Sequence, residues 1–500
     1  MSENERDKST ATDGKTFIGH PRALFVLFFS ELWERFSFYG MRALLVLYMT
    51  KRLLYADTDA YGVYAAYGAL VYALPVVGGM LADRLLGYRR AIILGGSLMA
   101  IGHFVMAYEP AFYGALALIA LGNGFFKPNI SSLVGKLYAE KDPRRDSGFT
   151  IFYMGINIGA FLAPLACGYI GEEFGWHYGF GLAGIGMVVG LVGFVLGKSL
   201  LMGYGEPPDP QRLRARVLPG ITGSGSVIVA CVVAVPLIAL ALYYNSVVSY
   251  LLYGGGVVIL GYLLFVAFKS DRVAGQRLGV VIILIFFHTV FWACFEQAGS
   301  SLTLFTDRNV DRNIFGTEIK TSLFQAVNPL FIVIFAPLFS MLWPLLERRG
   351  LNPSIPMKFS LGLAQLAFGF CLLVVGAQFA GPDGMTAVTW ILLAYLLQTT
   401  GELCLSPVGL SAVTKLSPPQ IVGTVMGAWM LSVAFAHNVA GLIAGLTETG
   451  EGPGETVATP TETLGVYAGV FQQIFIGALI TAALLAVLTP VVKRMTHGVK

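Results

Sequence analysis

Apolar runs of about 20 residues, the length a helix needs to cross the hydrocarbon core of a bilayer, recur from end to end of this chain. Between polar breaks they fall near 22–50, 60–82, 90–108, 111–138, 147–170 and 178–200, then near 221–243 and 247–268. The last six lie near 278–304, 320–346, 356–379, 386–413, 420–445 and 465–492. A backbone in lipid must satisfy its own hydrogen bonds, so such runs predict an all-α polytopic membrane protein with 14 crossings. Composition agrees, because 12% of the 500 residues are charged, too few to wet the surface of a soluble fold of this size. The polar start, MSENERDKSTATDGKTF, is followed by no short apolar signal region, so a cleaved secretory leader is not expected. The five cysteines all lie in apolar runs without metal-ligand spacing and read as small buried hydrophobes.

Charge placement orients the segments. One set of alternate loops holds DRLLGYRR, KDPRRDS, RLRAR, KSDR and ERRG, and the chain ends in KRMTHGVK. The opposite set holds EEFGWH, GPDG and the acidic TETGEGPGETVATPTET. Lys and Arg favour the cytoplasmic side, which puts both termini in the cytoplasm. The Pro- and Arg-rich MGYGEPPDPQRLRARVLPG, residues 202–220, divides six segments from eight. The reading is a polar tail over 1–20, a six-helix half over 21–201, a linker with an inserted hairpin over 202–275, and a second six-helix half over 276–500. Two six-helix halves around a midplane site is a common transporter plan.

The first segment contains ELWERFSFYGMR, with Glu31, Glu34, Arg35 and Arg42 inside an apolar helix. Glu31, Glu34, Arg35, Phe38 and Arg42 share one face, with Tyr39 at its edge. A central charge costs about 2.5–3.5 kcal/mol on the insertion scale, so the group must pair internally or line a water-filled cavity. With Lys127 of the fourth segment, Glu31, Glu34 and Arg35 sum to zero and can close on themselves. By this count Arg42 is left over, and so are Glu296 and Glu402 at similar depth in the second half. A cavity with spare positive charge on one side and spare negative charge on the other suits a small zwitterion. A carboxylate in such a cavity can also carry a proton, which suits Glu296. Taken singly, Asn157, Asn328 and Gln325 read as hydrogen-bonding ties between helices, and Tyr39, Tyr72 and Trp429 as packing. His288 and His437 read as packed polar residues.

These residues also carry a resemblance. ELWERFSFYGM resembles the ExxERFxYYG signature of the proton-dependent oligopeptide transporters of the major facilitator superfamily. GGMLADRLLGYRR resembles that superfamily's loop motif, and FTIFYMGINIGAFLAP the family's second signature. FKPN, FEQAGS, QAVNPLF and GELCLSPVGLS match family patterns in order, so the resemblance spans nearly the whole chain. It implies 12 core helices plus the two inserted ones that bacterial members are known for. The implied activity is symport of di- and tripeptides with protons. Glu31, Glu34, Arg35, Lys127 and Glu296 would serve proton coupling. Arg42 would meet the peptide carboxylate, with Lys127 also at the peptide. Glu402, Asn157 and Asn328 would meet the amino end, Ser406 would be a further substrate-binding residue, and Tyr39, Tyr72 and Trp429 would line side-chain pockets. Asp83 and Arg84 would latch one conformation at the cytoplasmic face. Two departures stand out: Phe38–Tyr39 replaces paired tyrosines, and the His that animal relatives carry on the second helix is missing between Tyr61 and Asp83.

The expected cofactor set is empty, with protons as coupling ion, and the expected partners are peptide and lipid, not nucleic acid. The expected form is a monomer in a bacterial inner membrane. Pro75, Pro128, Pro329 and Pro407 are expected bend points. GFVLGKS at 193–199 imitates a phosphate loop but is one residue short and ends a membrane segment. A nitrate carrier of the same fold would not need Glu402, and a drug antiporter would not need an unpaired Arg42. An enzyme would want a paired acid and base with a large lumenal loop, and a channel would want repeated charge rings.

Overall fold

The computed structural model describes residues 16–139, 142–218, 221–448 and 458–499. Residues 1–15 of the polar tail and 449–457 of the acidic loop lie outside them. Fourteen helices of at least 18 residues follow in order. They are α1 (Arg22–Lys51), α2 (Asp57–Leu81), α3 (Tyr88–Val105), α4 (Phe112–Lys136), α5 (Arg145–Ala163), α6 (Trp176–Gly197) and α7 (Gly223–Tyr243). Then come α8 (Ser246–Lys269), α9 (Arg272–Phe295), α10 (Val327–Arg348), α11 (Ile355–Gln378), α12 (Val388–Leu416), α13 (Val422–Gly445) and α14 (Pro460–Met495). Number and order are those read from the apolar runs. Eleven of the helical segments are apolar enough over their length to cross a bilayer. The three that fall short, α1, α3 and α4, hold internal polar groups: Glu31 to Arg42, His103, and Asn123 with Lys127.

The chain folds into two compact units that do not follow chain order. One contains the residues up to Met41 and Leu74–Leu240; the other contains Arg42–Ala73 and Ala241–Lys500. The second half of α1 and the first half of α2 therefore belong with α8–α14.

In the first unit α3 and α4 pack backbone to backbone. A Cβ on Gly95 would come within 2.5 Å of the Gly122 carbonyl oxygen, and one on Gly122 within 2.6 Å of the Gly95 carbonyl oxygen. Glycine is what permits this approach in a membrane, where packing rather than the hydrophobic effect holds helices together. A turn of π-helix, Ala82–Leu86, ends α2, and Gly87 at φ 72° carries the chain into α3. Arg89 fixes the linker there, donating through Nε to the Tyr204 carbonyl at 2.6 Å and through Nη1 to Glu206 at 2.6 Å.

In the second unit the run read as one segment over 278–304 is broken. Helix α9 stops at Phe295, a 3-10 turn covers Glu296–Gly299, and Ser301–Asn309 is helical again. Gln325 holds the turn, donating to the Ala298 carbonyl at 2.6 Å and to Thr303 Oγ1 at 2.9 Å. A parallel two-residue pair joins Val310–Asp311 to Thr386–Ala387. Thr459 and Glu462 form a capping box at the start of α14. Helices α7 and α8 leave apolar side chains such as Val232, Leu237, Val257 and Phe268 exposed, as lipid-facing helices do.

Pro75, Pro128 and Pro407 lie inside α2, α4 and α12 as expected of bend points. Pro329 follows directly on the 3-10 turn Thr321–Ala326 as the third residue of α10, and Pro337 and Pro344 lie deeper in that helix. Cys167, Cys231, Cys294, Cys371 and Cys404 are free, and all but Cys371 are buried.

Candidate functional site

In the first unit, α1 turns its charged face inward. Glu31, Glu34 and Arg35 are each at most 1% exposed. Arg35 donates through Nε and Nη2 to the two oxygens of Glu34, a bidentate fork, and its Nε lies 3.6 Å from Glu31 Oε1. Asn123 of α4 donates to Glu34 Oε1 at 3.2 Å. One turn further along α4, Lys127 interacts electrostatically with Glu31. The Arg35 guanidinium lies over the Phe38 ring at 4.9 Å and near the Tyr39 ring at 5.9 Å. The four-charge cluster read from the sequence is thus assembled, but unevenly. Glu34 is held three times over, whereas neither oxygen of Glu31 accepts a hydrogen bond among the described residues. Asn157 is buried and donates to the Tyr153 carbonyl one turn back at 3.0 Å. Asp83 and Arg84 are exposed in the π turn, where Asp83 accepts from the Tyr88 hydroxyl at 2.7 Å.

The second unit corrects the charge count. Arg42 and Glu296, both left over in that count, form an ion pair, with Arg42 Nη2 2.5 Å from Glu296 Oε2. The count treated the halves of the chain separately, whereas Arg42 folds with the C-terminal helices. Arg42 also donates through Nε to the Tyr64 hydroxyl at 2.7 Å. The other oxygen of Glu296, Oε1, faces His437 Nε2 of α13 at 3.8 Å. The Tyr72 ring lies 5.4 Å from that imidazole. Asn328 donates to Thr399 Oγ1 at 3.0 Å and to Glu402 Oε2 at 3.1 Å. Glu402 interacts electrostatically with both Glu296 and Arg42. The Ser406 hydroxyl is buried and has no hydrogen-bond partner among the described residues. Trp429 is packed: its ring lies 3.8 Å from that of His288, tilted by 31°, and a Cβ on Gly409 would run into it. His288 uses both ring nitrogens, one with Ser432 at 2.8 Å and one accepting from Trp292 at 2.9 Å, and is a packed polar residue as read.

Arg42, Tyr72, Glu296, Asn328, Glu402, Ser406 and Trp429 therefore share one unit, and Glu31, Glu34, Arg35, Tyr39, Lys127 and Asn157 share the other. Three participants were not singled out from the sequence. Tyr64 looked like any aromatic in a membrane helix. Asp57 and Arg308 looked like loop charges, yet Arg308 donates through Nη1 and Nη2 to the two oxygens of the 2%-exposed Asp57, at 2.5 and 3.0 Å.

The sequence profile of the POT family matches residues 89–458. The chain belongs to the POT family. Among curated POT-like relatives it is 38% identical over 500 residues to the uncharacterized transporter YclF of Bacillus subtilis (strain 168), covering 97% of each chain. It is 36% identical over 486 residues to dipeptide and tripeptide permease A of Cronobacter turicensis, covering 95% of this chain and 94% of the permease. Among solved structures, a peptide transporter POT in complex with alafosfalin superposes with a TM-score of 0.84 at 36% identity, covering 99% of this chain and 100% of that one. The expected fold class stands: an all-α polytopic membrane protein of the major facilitator type.

Proposed function

We propose that this POT-family protein is a proton-coupled symporter that imports di- and tripeptides by alternating access. The observation that carries the reading is the buried Arg42–Glu296 pair, set within electrostatic reach of Glu402 and its partner Asn328. A peptide brings one carboxylate and one ammonium group, and this unit offers one guanidinium and two carboxylates. With both carboxylates ionised, Glu296 occupies Arg42. A proton taken up by Glu296 cancels its charge, and Arg42 is then available to the peptide carboxylate while Glu402 receives the ammonium group. The names of relatives that are dipeptide and tripeptide permeases support the same substrate class.

In the other unit Glu31 is the carboxylate able to take a proton without breaking the Arg35–Glu34 fork, which suits it, with Lys127, to a second coupling site. Tyr39, Lys127 and Asn157 of that unit, and separately Tyr72, Ser406 and Trp429 of this one, are proposed as substrate-binding residues. Asp83 and Arg84 are proposed as the latch. The basic loops support both termini in the cytoplasm, and the protein is proposed to work as a monomer in a bacterial inner membrane with protons as coupling ion and no cofactor.

Because the peptide-competent state holds one more proton, binding and protonation are linked. Mixing purified protein with di-alanine in weakly buffered solution should produce proton uptake, and free alanine should produce none. Di-alanine binding without proton uptake would contradict the coupling.

A further inference from the structure

His437 stands in an unusual position for a buried histidine. It is 4% exposed, lies 3.8 Å from Glu296 through Nε2, and its Nδ1 has no hydrogen-bond partner among the described residues. His288 on α9 has both ring nitrogens committed to hydrogen bonds, whereas Nδ1 of His437 has none and its Nε2 faces Glu296. The ring fits only because α2 has a glycine there: a Cβ on Gly68 would run into the imidazole. The groups facing it are Glu296 from the end of α9, Arg42 from α1, and Tyr64 and Tyr72 from α2. Behind these, Glu402 and Tyr395 of α12 interact with Arg42.

Glu296 is thus placed between a guanidinium on Oε2 and an imidazole on Oε1. The separation from the imidazole is about 1 Å longer than a hydrogen bond. While Glu296 is ionised, Arg42 holds it. Once protonated it has no charge to offer Arg42, but it has an O–H to donate. We propose that His437 shares the proton of Glu296, the Oε1–H of the neutral acid donating to Nε2 of the neutral imidazole as Oε2 leaves Arg42. One proton arrives from solvent and forms the O–H of Glu296; the Arg42–Oε2 contact is exchanged for the Oε1–H···Nε2 hydrogen bond, and no other covalent bond forms or breaks. His437 thereby sets the pH at which Arg42 becomes available to substrate. The inference rests on the proton-coupled reading above and assigns its proton a second holder.

The test is uptake of labelled di-alanine into proteoliposomes as a function of external pH, with peptide exchange measured in parallel. Wild-type protein is measured first, and absence of proton-driven uptake there would overturn the symport reading itself. With wild type active, His437→Gln and His437→Phe should each move the pH midpoint of uptake about one unit to the acid side, the effect of losing one hydrogen bond to the protonated acid. Exchange at saturating peptide should persist. A midpoint unmoved in both variants overturns the inference. So does restoration by Phe, which would mean packing alone, or by Gln, which would mean that no imidazole is needed to hold the proton. Infrared difference spectra of wild type against Glu296→Gln give a check independent of the histidine variants. The carboxylic C=O band removed by Glu296→Gln should be that of a hydrogen-bonded acid, and a band of a non-bonded acid overturns the proposal.

Discussion

Arg42 and Glu296 are 254 residues apart in the chain, and their side chains meet at 2.5 Å in a site that excludes most water. The two groups are held together as an ion pair, so neutralising one member changes what the other can bind. Glu296→Gln keeps the shape and removes the proposed proton site. Concentrative uptake should fall at least about tenfold, whereas peptide exchange, which needs no net proton movement, should stay within about threefold of wild type. Comparable loss of both activities would show that Glu296 serves structure rather than coupling.

The pair was not legible in the sequence, and the reason is physical. Apolar length fixes where helices run, and every expected crossing has its helix. Length does not say that α1 changes allegiance part-way, so a count made half by half left Arg42 and Glu296 single. The cluster on α1 was legible because residues three and four apart share a helix face whatever the tertiary fold. The break after Phe295 was not, since Glu296–Gly299 interrupts an apolar run without a proline. His437 was visible only as a lone histidine, and what distinguishes it from His288 is the bonding of its nitrogens.

Gly299 admits the Tyr64 hydroxyl, and an added Cβ would also stand 3.2 Å from Arg42 Nη2. Gly299→Ala should therefore displace the Tyr64–Arg42 contact and weaken di-alanine binding about tenfold, the worth of one hydrogen bond to a charged group. Gly427→Ala, at a position where a Cβ meets nothing within 4 Å, is the control and should leave binding unchanged. Titration calorimetry at one pH compares the two, and equal affinities would count against the placement of Arg42 at the peptide.

Arg35 is the only basic side chain bonded to both Glu31 and Glu34 among the ion pairs described, and all three are buried. Arg35→Ala takes the guanidinium fork from the buried Glu34 and should cost about 3–5 kcal/mol of stability. Glu31→Gln removes a carboxylate whose oxygens accept no hydrogen bond, and should cost much less. Thermal unfolding of the detergent-solubilised variants orders them, and a Glu31→Gln protein less stable than Arg35→Ala would contradict the geometry.

Asp57 and Arg308 tie the start of α2 to the segment Ser301–Asn309. Breaking one partner leaves a buried charge, so Asp57→Ala and Arg308→Ala should each lower stability by about 3–5 kcal/mol, while the double variant should lose less than the sum. Strict additivity in the double-mutant cycle would mean that the two side chains do not interact.

The central claim is that this chain concentrates small peptides at the expense of a proton gradient. Proteoliposomes holding the purified protein, given an inward proton gradient and labelled di-alanine, test it most directly. The account predicts accumulation that a protonophore abolishes and that di- and tri-alanine block, while free alanine and nitrate do not. Uptake that only equilibrates, or that nitrate competes away, would contradict it.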